Sequence, residues 1–136
     1  MSTPEVRRAT VLVYSSRPET RERVQVALGR HPSPGLDLEF VEAATGPEAV
    51  ALTDAGDIDL AILDGEAAPA GGMGIARQMK DEIYQAPPAL VLTGRPQDNW
   101  LATWSRADAA VSHPLDPIEL AEAATRLLRS RVPAKA

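Results

Sequence analysis

The sequence contains no cysteine, which excludes disulfides, thiolate metal sites and a cysteine nucleophile together. Aromatic residues make up only 4% of the 136 positions, and histidine occurs twice, at His31 and His113, so a histidine-rich metal site is not expected. No apolar run approaches the roughly 20 residues that cross a bilayer, and MSTPEVRRAT at the N-terminus lacks the apolar stretch of a secretory signal. These gaps point to a soluble cytoplasmic protein with no membrane partner. Positive charge is not in excess either: a net charge of -5 argues against nucleic acid as a partner, since duplex affinity depends on clustered Lys and Arg. The cations near the end, Arg126, Arg129, Arg131 and Lys135, fit a last helical turn, where they complement the helix dipole.

What is present is an alternation of short apolar runs with segments of helical period. TVLVY (10–14) is β-branched and nearly continuous, as a strand buried on both faces should be. Pro18 suits the first turn of a helix, and Val24, Ala27 and Leu28 recur at helical spacing up to Gly29. Further strands are expected at 38–44, 58–64, 87–94 and 107–112. The helices after them are expected at 46–57, along a stripe of Ile75, Met79 and Ile83, at 98–107 and at 117–130, with APAGGMG (68–74) as a loop. Five strands alternating with five helices imply an α/β, doubly wound parallel sheet, because each parallel crossover needs a helix. A hydrophobic content of 44% is enough for one core, so residues 1–136 are expected to form one domain with its core at about 8–130. In such a fold, ligands gather outside the carboxyl ends of the strands. That directs attention to the loops at 14–18, 64–74, 93–97 and 112–116.

Three stretches then carry a resemblance: VEAATGPEAVALTDAGDIDLAILD (41–64), LVLTG (90–94) and ADAAVSHP (107–114). Together they resemble the CheY-like receiver domain of two-component response regulators, over roughly residues 8–130, with its flavodoxin-like (βα)5 fold. The resemblance places Asp64 at the phosphoacceptor position and Thr93 at the switch position, with Gly94 and Arg95 following it in the pocket. It places His113 where the family has a lysine, before the retained Pro114 of a bond that is typically cis.

Several positions depart from that pattern. Ser15 and Ser16 stand where the family has two adjacent acids. Those acids help hold Mg²⁺, a hard cation that favours carboxylate oxygen. Hydroxyls are poorer ligands, so Mg²⁺ binding is expected to be weak or absent. Arg17 adds a fixed positive charge placed to pair with Asp64. A neutral imidazole at His113 supplies neither the reach nor the permanent charge of an ammonium. Ala110 replaces the aromatic whose rotamer reports the activated state, and the family proline after Asp64 comes one residue late, at Pro69. Glu66 lies two residues beyond Asp64, where an acid in a loop is ordinarily solvated. Trp100 and Trp104, four apart, share a helix face, with Trp100 expected toward the core and Trp104 toward the outer edge as an interface anchor.

The expectation is a stand-alone, atypical pseudo-receiver that is not an enzyme, with phosphorylation at Asp64 lost or weak. It would act through a protein partner, a histidine kinase or other signalling protein, and could pair with itself through helix four, strand five and helix five. One alternative is a pseudo-receiver sensing a small anion or metabolite through Ser15, Ser16, Arg17, Thr93 and Arg95. The other is a flavodoxin-type binder, against which the glycine-free turn YSSRPET counts.

Overall fold

Buried β-branched and leucine runs form five strands in the computed structural model, which describes residues 7–67 and 71–130. They are β1 (Arg7–Tyr14), β2 (Leu36–Ala43), β3 (Leu60–Asp64), β4 (Ala89–Thr93) and β5 (Ala109–Ser112). All pair in parallel in the order β2-β1-β3-β4-β5, with Tyr14 opposite Leu63 and Asp64 opposite Leu92. Between them run α1 (Pro18–Leu28), α2 (Gly46–Asp54), α3 (Gly72–Glu82), α4 (Leu101–Trp104) and, last, α5 (Pro117–Ser130). Alternate residues of β1 feed two cores: Val11 and Val13 pack with Val24, Leu120, Ala124 and Leu128 of α1 and α5. Leu12 and Tyr14 pack with Ala49, Ile75, Ala76 and Met79 of α2 and α3. Helices therefore cover both faces of the sheet. Among the described residues no helix is long and apolar enough to cross a membrane.

Local chemistry sets the helix ends. Thr45 caps α2 by accepting from the Glu48 N–H at 3.3 Å, while Glu48 Oε1 reaches back to accept from the N–H of Ala44, the residue before the cap, at 2.9 Å. Asp116 Oδ1 accepts from Ile118 and Glu119 N–H at 2.8 and 3.3 Å and starts α5. Gly29 ends α1 at φ +61°, a conformation that side chains rarely adopt.

Several element boundaries shift from those expected, and three changes bear on the site. β1 begins at Arg7, not at residue 10, because β2 supplies hydrogen-bond partners from Leu36 onward. Gly72 and Gly74 lie in α3, not in a loop. A Cβ on Gly72 would sit 2.7 Å from the backbone of Leu63 and Asp64, so this glycine lets α3 start directly against the end of β3. Pro69 and the rest of 68–70 lie outside the described residues. The expected helix at 98–107 is instead a 3-10 turn at Pro96–Asp98 followed by a single α turn. It ends at Trp104, two residues before Arg106, whose φ of +62° turns the chain out of the helix. As a result Trp100 does not reach the core and is 67% exposed.

Candidate functional site

The C-terminal ends of β1, β3 and β4 bring Ser15, Asp64 and Thr93 together as buried polar side chains, each no more than 1% exposed. This is the edge of the sheet where strand order reverses between β1 and β3, and where loops leave room for chemistry. Asp64 has both carboxylate oxygens engaged: Oδ2 accepts from the Ser15 hydroxyl at 2.7 Å and Oδ1 from the Glu66 N–H at 2.9 Å. Ser15 Oγ in turn accepts from the Arg17 N–H at 3.0 Å. The serine hydroxyl thus bridges the first residues after β1 to the carboxylate at the end of β3. Burial, and secondarily the negative charge of Asp64, raises the Tyr14 phenol above its ordinary value of 10.0.

Arg17 does not pair with Asp64. It occupies the N-cap of α1 in extended backbone (φ −106°, ψ 119°), its side chain is exposed, and only its backbone N–H enters the site. Arg21, one turn further along α1, takes the place nearest the turn. Its guanidinium donates to the Ser15 carbonyl at 2.7 Å and to Glu42 Oε1 at 2.9 Å. Sequence reasoning missed Arg21 because nothing but helical spacing from Pro18 marks it; that spacing turns it back over β1 and β2.

The other positions spread around this centre. Ser16 is half-buried, and Glu66 is exposed with its carboxylate folded against Gly94, so that a Cβ at Gly94 would collide with Glu66 Oε1. Arg95 is exposed and pairs with Asp98 at 3.2 Å; that hydrogen bond, with smaller help from Glu66, raises its pKa further. Thr93 donates its hydroxyl to Asn99 Oδ1 at 2.6 Å, a partner that no family motif suggested. His113 is half-buried, donates its N–H to the Thr93 carbonyl at 2.8 Å and precedes Pro114 through a cis bond. Ala110 is half-buried on β5, and Trp104 is 53% exposed at the end of α4. The Arg77 guanidinium lies 4.9 Å above the Trp104 ring and also donates to the Trp104 carbonyl at 3.0 Å. Five surface hollows are lined by residues of other regions, chiefly α1, α5 and the β2 edge, and Ser15, Ser16, Asp64 and Thr93 line none of them.

A buried aspartate at the end of the third strand, in a parallel five-stranded sheet ordered 2-1-3-4-5, is the arrangement of a receiver-type domain within the flavodoxin-like folds. No protein-family model matches the chain. Uncharacterized response regulatory proteins from two strains of Mycobacterium tuberculosis are each 61% identical to it over 121 residues, covering 88% of this chain and 91% of theirs. At that identity and coverage the chain belongs to the response-regulator family, and it is a receiver domain of two-component signalling.

Solved structures agree on the fold. The receiver domain of NarL from Mycobacterium tuberculosis matches with a TM-score of 0.74 at 24% identity, over 94% of this chain and 100% of that one. The chemotaxis response regulator CheY4 of Vibrio cholerae matches with a TM-score of 0.72 at 23% identity, over 89% of this chain and 99% of that one. The receiver domain of Saccharomyces cerevisiae Ssk1, co-crystallised with the histidine phosphotransfer protein Ypd1, matches at 0.76 and 19% identity, over 99% and 97%.

Proposed function

We propose that this receiver signals by docking on another protein, with phosphoryl transfer to Asp64 lost or weak. The observation that carries the reading is the 2.7 Å bond from Ser15 to Asp64, at the place where the family has a carboxylate. Mg²⁺ demands near-octahedral oxygen coordination and is held best by carboxylates. Here the donor set is one buried carboxylate, with each oxygen already accepting a hydrogen bond, beside neutral hydroxyls. Glu66 is the nearest further acid in the chain, and its side chain turns onto Gly94. Among the described residues no three acidic or imidazole side chains gather into a metal-binding group. These residues do not fit a firmly held Mg²⁺, so no catalytic step is routed through one. Half-buried His113, in the place of the family lysine, supports the same reading.

Two observations support a protein partner. Trp100 and Trp104 present large apolar surface to solvent, four residues apart on one short segment, and exposed tryptophan is a characteristic interface anchor. The Ssk1 receiver was captured with a phosphotransfer protein, and we carry to this chain the same class of partner, a histidine kinase or related signalling protein. Self-association through α4, β5 and α5 uses the same exposed residues.

Incubation with Mg²⁺ and acetyl phosphate, read by intact-protein mass spectrometry, tests the reading. Little or no adduct is expected on the wild-type chain. Stoichiometric labelling of Asp64 would overturn the proposal. The Ser15→Asp variant should gain Mg²⁺ affinity, because it returns a second carboxylate to the site.

A further inference from the structure

Around most of the surface, cations find a carboxylate within the chain: Arg21 meets Glu42, Arg77 and Arg106 meet Asp81, Lys80 meets Asp108 and Arg95 meets Asp98. The face built by α1 and α5 is different. Among the described residues no ion pair engages Glu19, Glu22 or Arg23 of α1, or Glu122 or Arg126 of α5, and all five are exposed. Glu19 and Arg23, like Glu122 and Arg126, stand at a spacing that permits a pair within the helix, yet neither pair forms.

The same face carries apolar surface. Two hollows of about 610 and 620 Å³ adjoin there through Ala27 and Pro117. Val26 lines one and Ile118 the other, and these side chains are 76% and 71% exposed. Each helix follows a strand of the parallel sheet, so α1 and α5 run side by side in one direction. Down α1 the sequence of side chains is acid, acid, base, apolar: Glu19, Glu22, Arg23, Val26. Up α5 from its last turn it is base, base, acid, apolar: Arg129, Arg126, Glu122, Ile118. Arg129 also donates to the Ser33 hydroxyl and the Pro34 carbonyl. A two-fold axis normal to the face lays α1 of one copy antiparallel on α5 of the other. There each sign meets its opposite, and Val26 meets Ile118.

We propose that this face binds a second copy of the chain as a two-fold dimer, α1 against α5. An isologous contact uses one patch twice and must complement itself. The match here is between the two halves of a single patch, and that selects a second copy over a different protein. The contact uses neither Asp64 nor the tryptophans and leaves Trp100 and Trp104 open, so it stands or falls separately from the proposed function.

Sedimentation equilibrium of the full chain tests it, at loadings up to about 100 μM, where an interface of micromolar strength is largely filled. The wild-type chain should sediment as a dimer. Val26→Arg puts a cation into the apolar centre twice and should leave a monomer. Glu22→Arg and Arg126→Glu should each raise the dissociation constant about tenfold or more, because a symmetric contact repeats every change and attraction becomes repulsion. The Glu22→Arg, Arg126→Glu double variant should return to within about threefold of wild type, a recovery that a merely misfolded single variant could not give. Trp104→Ala should dimerise like the wild type. A monomeric wild type at the highest loading, a dimeric Val26→Arg, single charge reversals without effect, a double variant that stays weak, or loss of the dimer in Trp104→Ala would each overturn the proposal.

Discussion

The last strand, β5, lies between two helices that differ in every property that governs stability. α5 runs for fourteen residues, is capped by Asp116 and buries Leu120, Ala123, Ala124, Leu127 and Leu128. α4 has four residues, no side-chain cap, and leaves Trp100 and Trp104 exposed. Apolar area removed from water is what stabilises a helix in a small domain, so α5 anchors the fold and α4 is held by individual polar ties. Large apolar side chains left outside on the weakly held element are available to a partner, whereas the apolar stripe of α5, Leu120, Leu127 and Leu128 among it, is committed to the core.

Truncating each helix at its largest relevant side chain tests that contrast most strongly. Leu128 is fully buried, and Leu128→Ala should cost about 3 kcal/mol, the usual size for a buried leucine that leaves a cavity. Trp104→Ala, although it removes more atoms, should change stability by less than about 1 kcal/mol, since half of its surface is already in water. Urea denaturation of both variants measures the difference. Equal losses would mean that α4 carries as much of the core as α5.

The same contrast explains what could be read in the sequence. α5 was expected at 117–130 and is found at Pro117–Ser130, because a wide apolar stripe, a first-turn proline and an aspartate cap all agree. The parallel sheet of five strands and the place of Asp64 at the end of the third were legible for a related reason: nearly continuous apolar runs read as strands buried on both faces. At α4 the signals conflict. Tryptophans four apart suggest a buried face, while Pro96 and the left-handed Arg106 confine the helix to one turn. Arg17 was misread because charge was considered without backbone direction: the N-cap conformation aims its N–H inward and its guanidinium out. Asn99 and Arg21 act over distances in sequence that no spacing rule covers, and only the folded chain brings them to Thr93 and Ser15.

An intermediate effect is expected where the pocket meets the core. Ser15→Ala removes the donor to Asp64 Oδ2 and the acceptor for the Arg17 N–H while changing almost no volume. Leaving a buried carboxylate oxygen short of a partner should cost about 2 kcal/mol, less than the leucine cavity and more than the tryptophan truncation. Thermal or urea unfolding checks the order. A loss below half a kilocalorie would mean that water replaces the serine, and that the pocket is as open as the α4 segment.

The smallest effect should come from Arg77, where the two regions can be separated by side-chain chemistry alone. Its guanidinium does two things to Trp104: it stacks on the ring at 4.9 Å and donates to the carbonyl at 3.0 Å. It also lies 3.9 Å from Asp81, which Arg106 engages as well at 2.6 Å. Lysine keeps the charge near Asp81 but has no flat group to lie on an indole. Arg77→Lys should therefore cost only about 0.5 kcal/mol, the scale of an exposed cation–π contact. Global stability will barely register that change. The Trp104 indole N–H signal, however, should shift and broaden as the ring loses its fixed cover, while signals from α5 stay where they are. If the α5 signals move with it, the two helices around β5 form one cooperative unit, and the division between anchor and display surface fails.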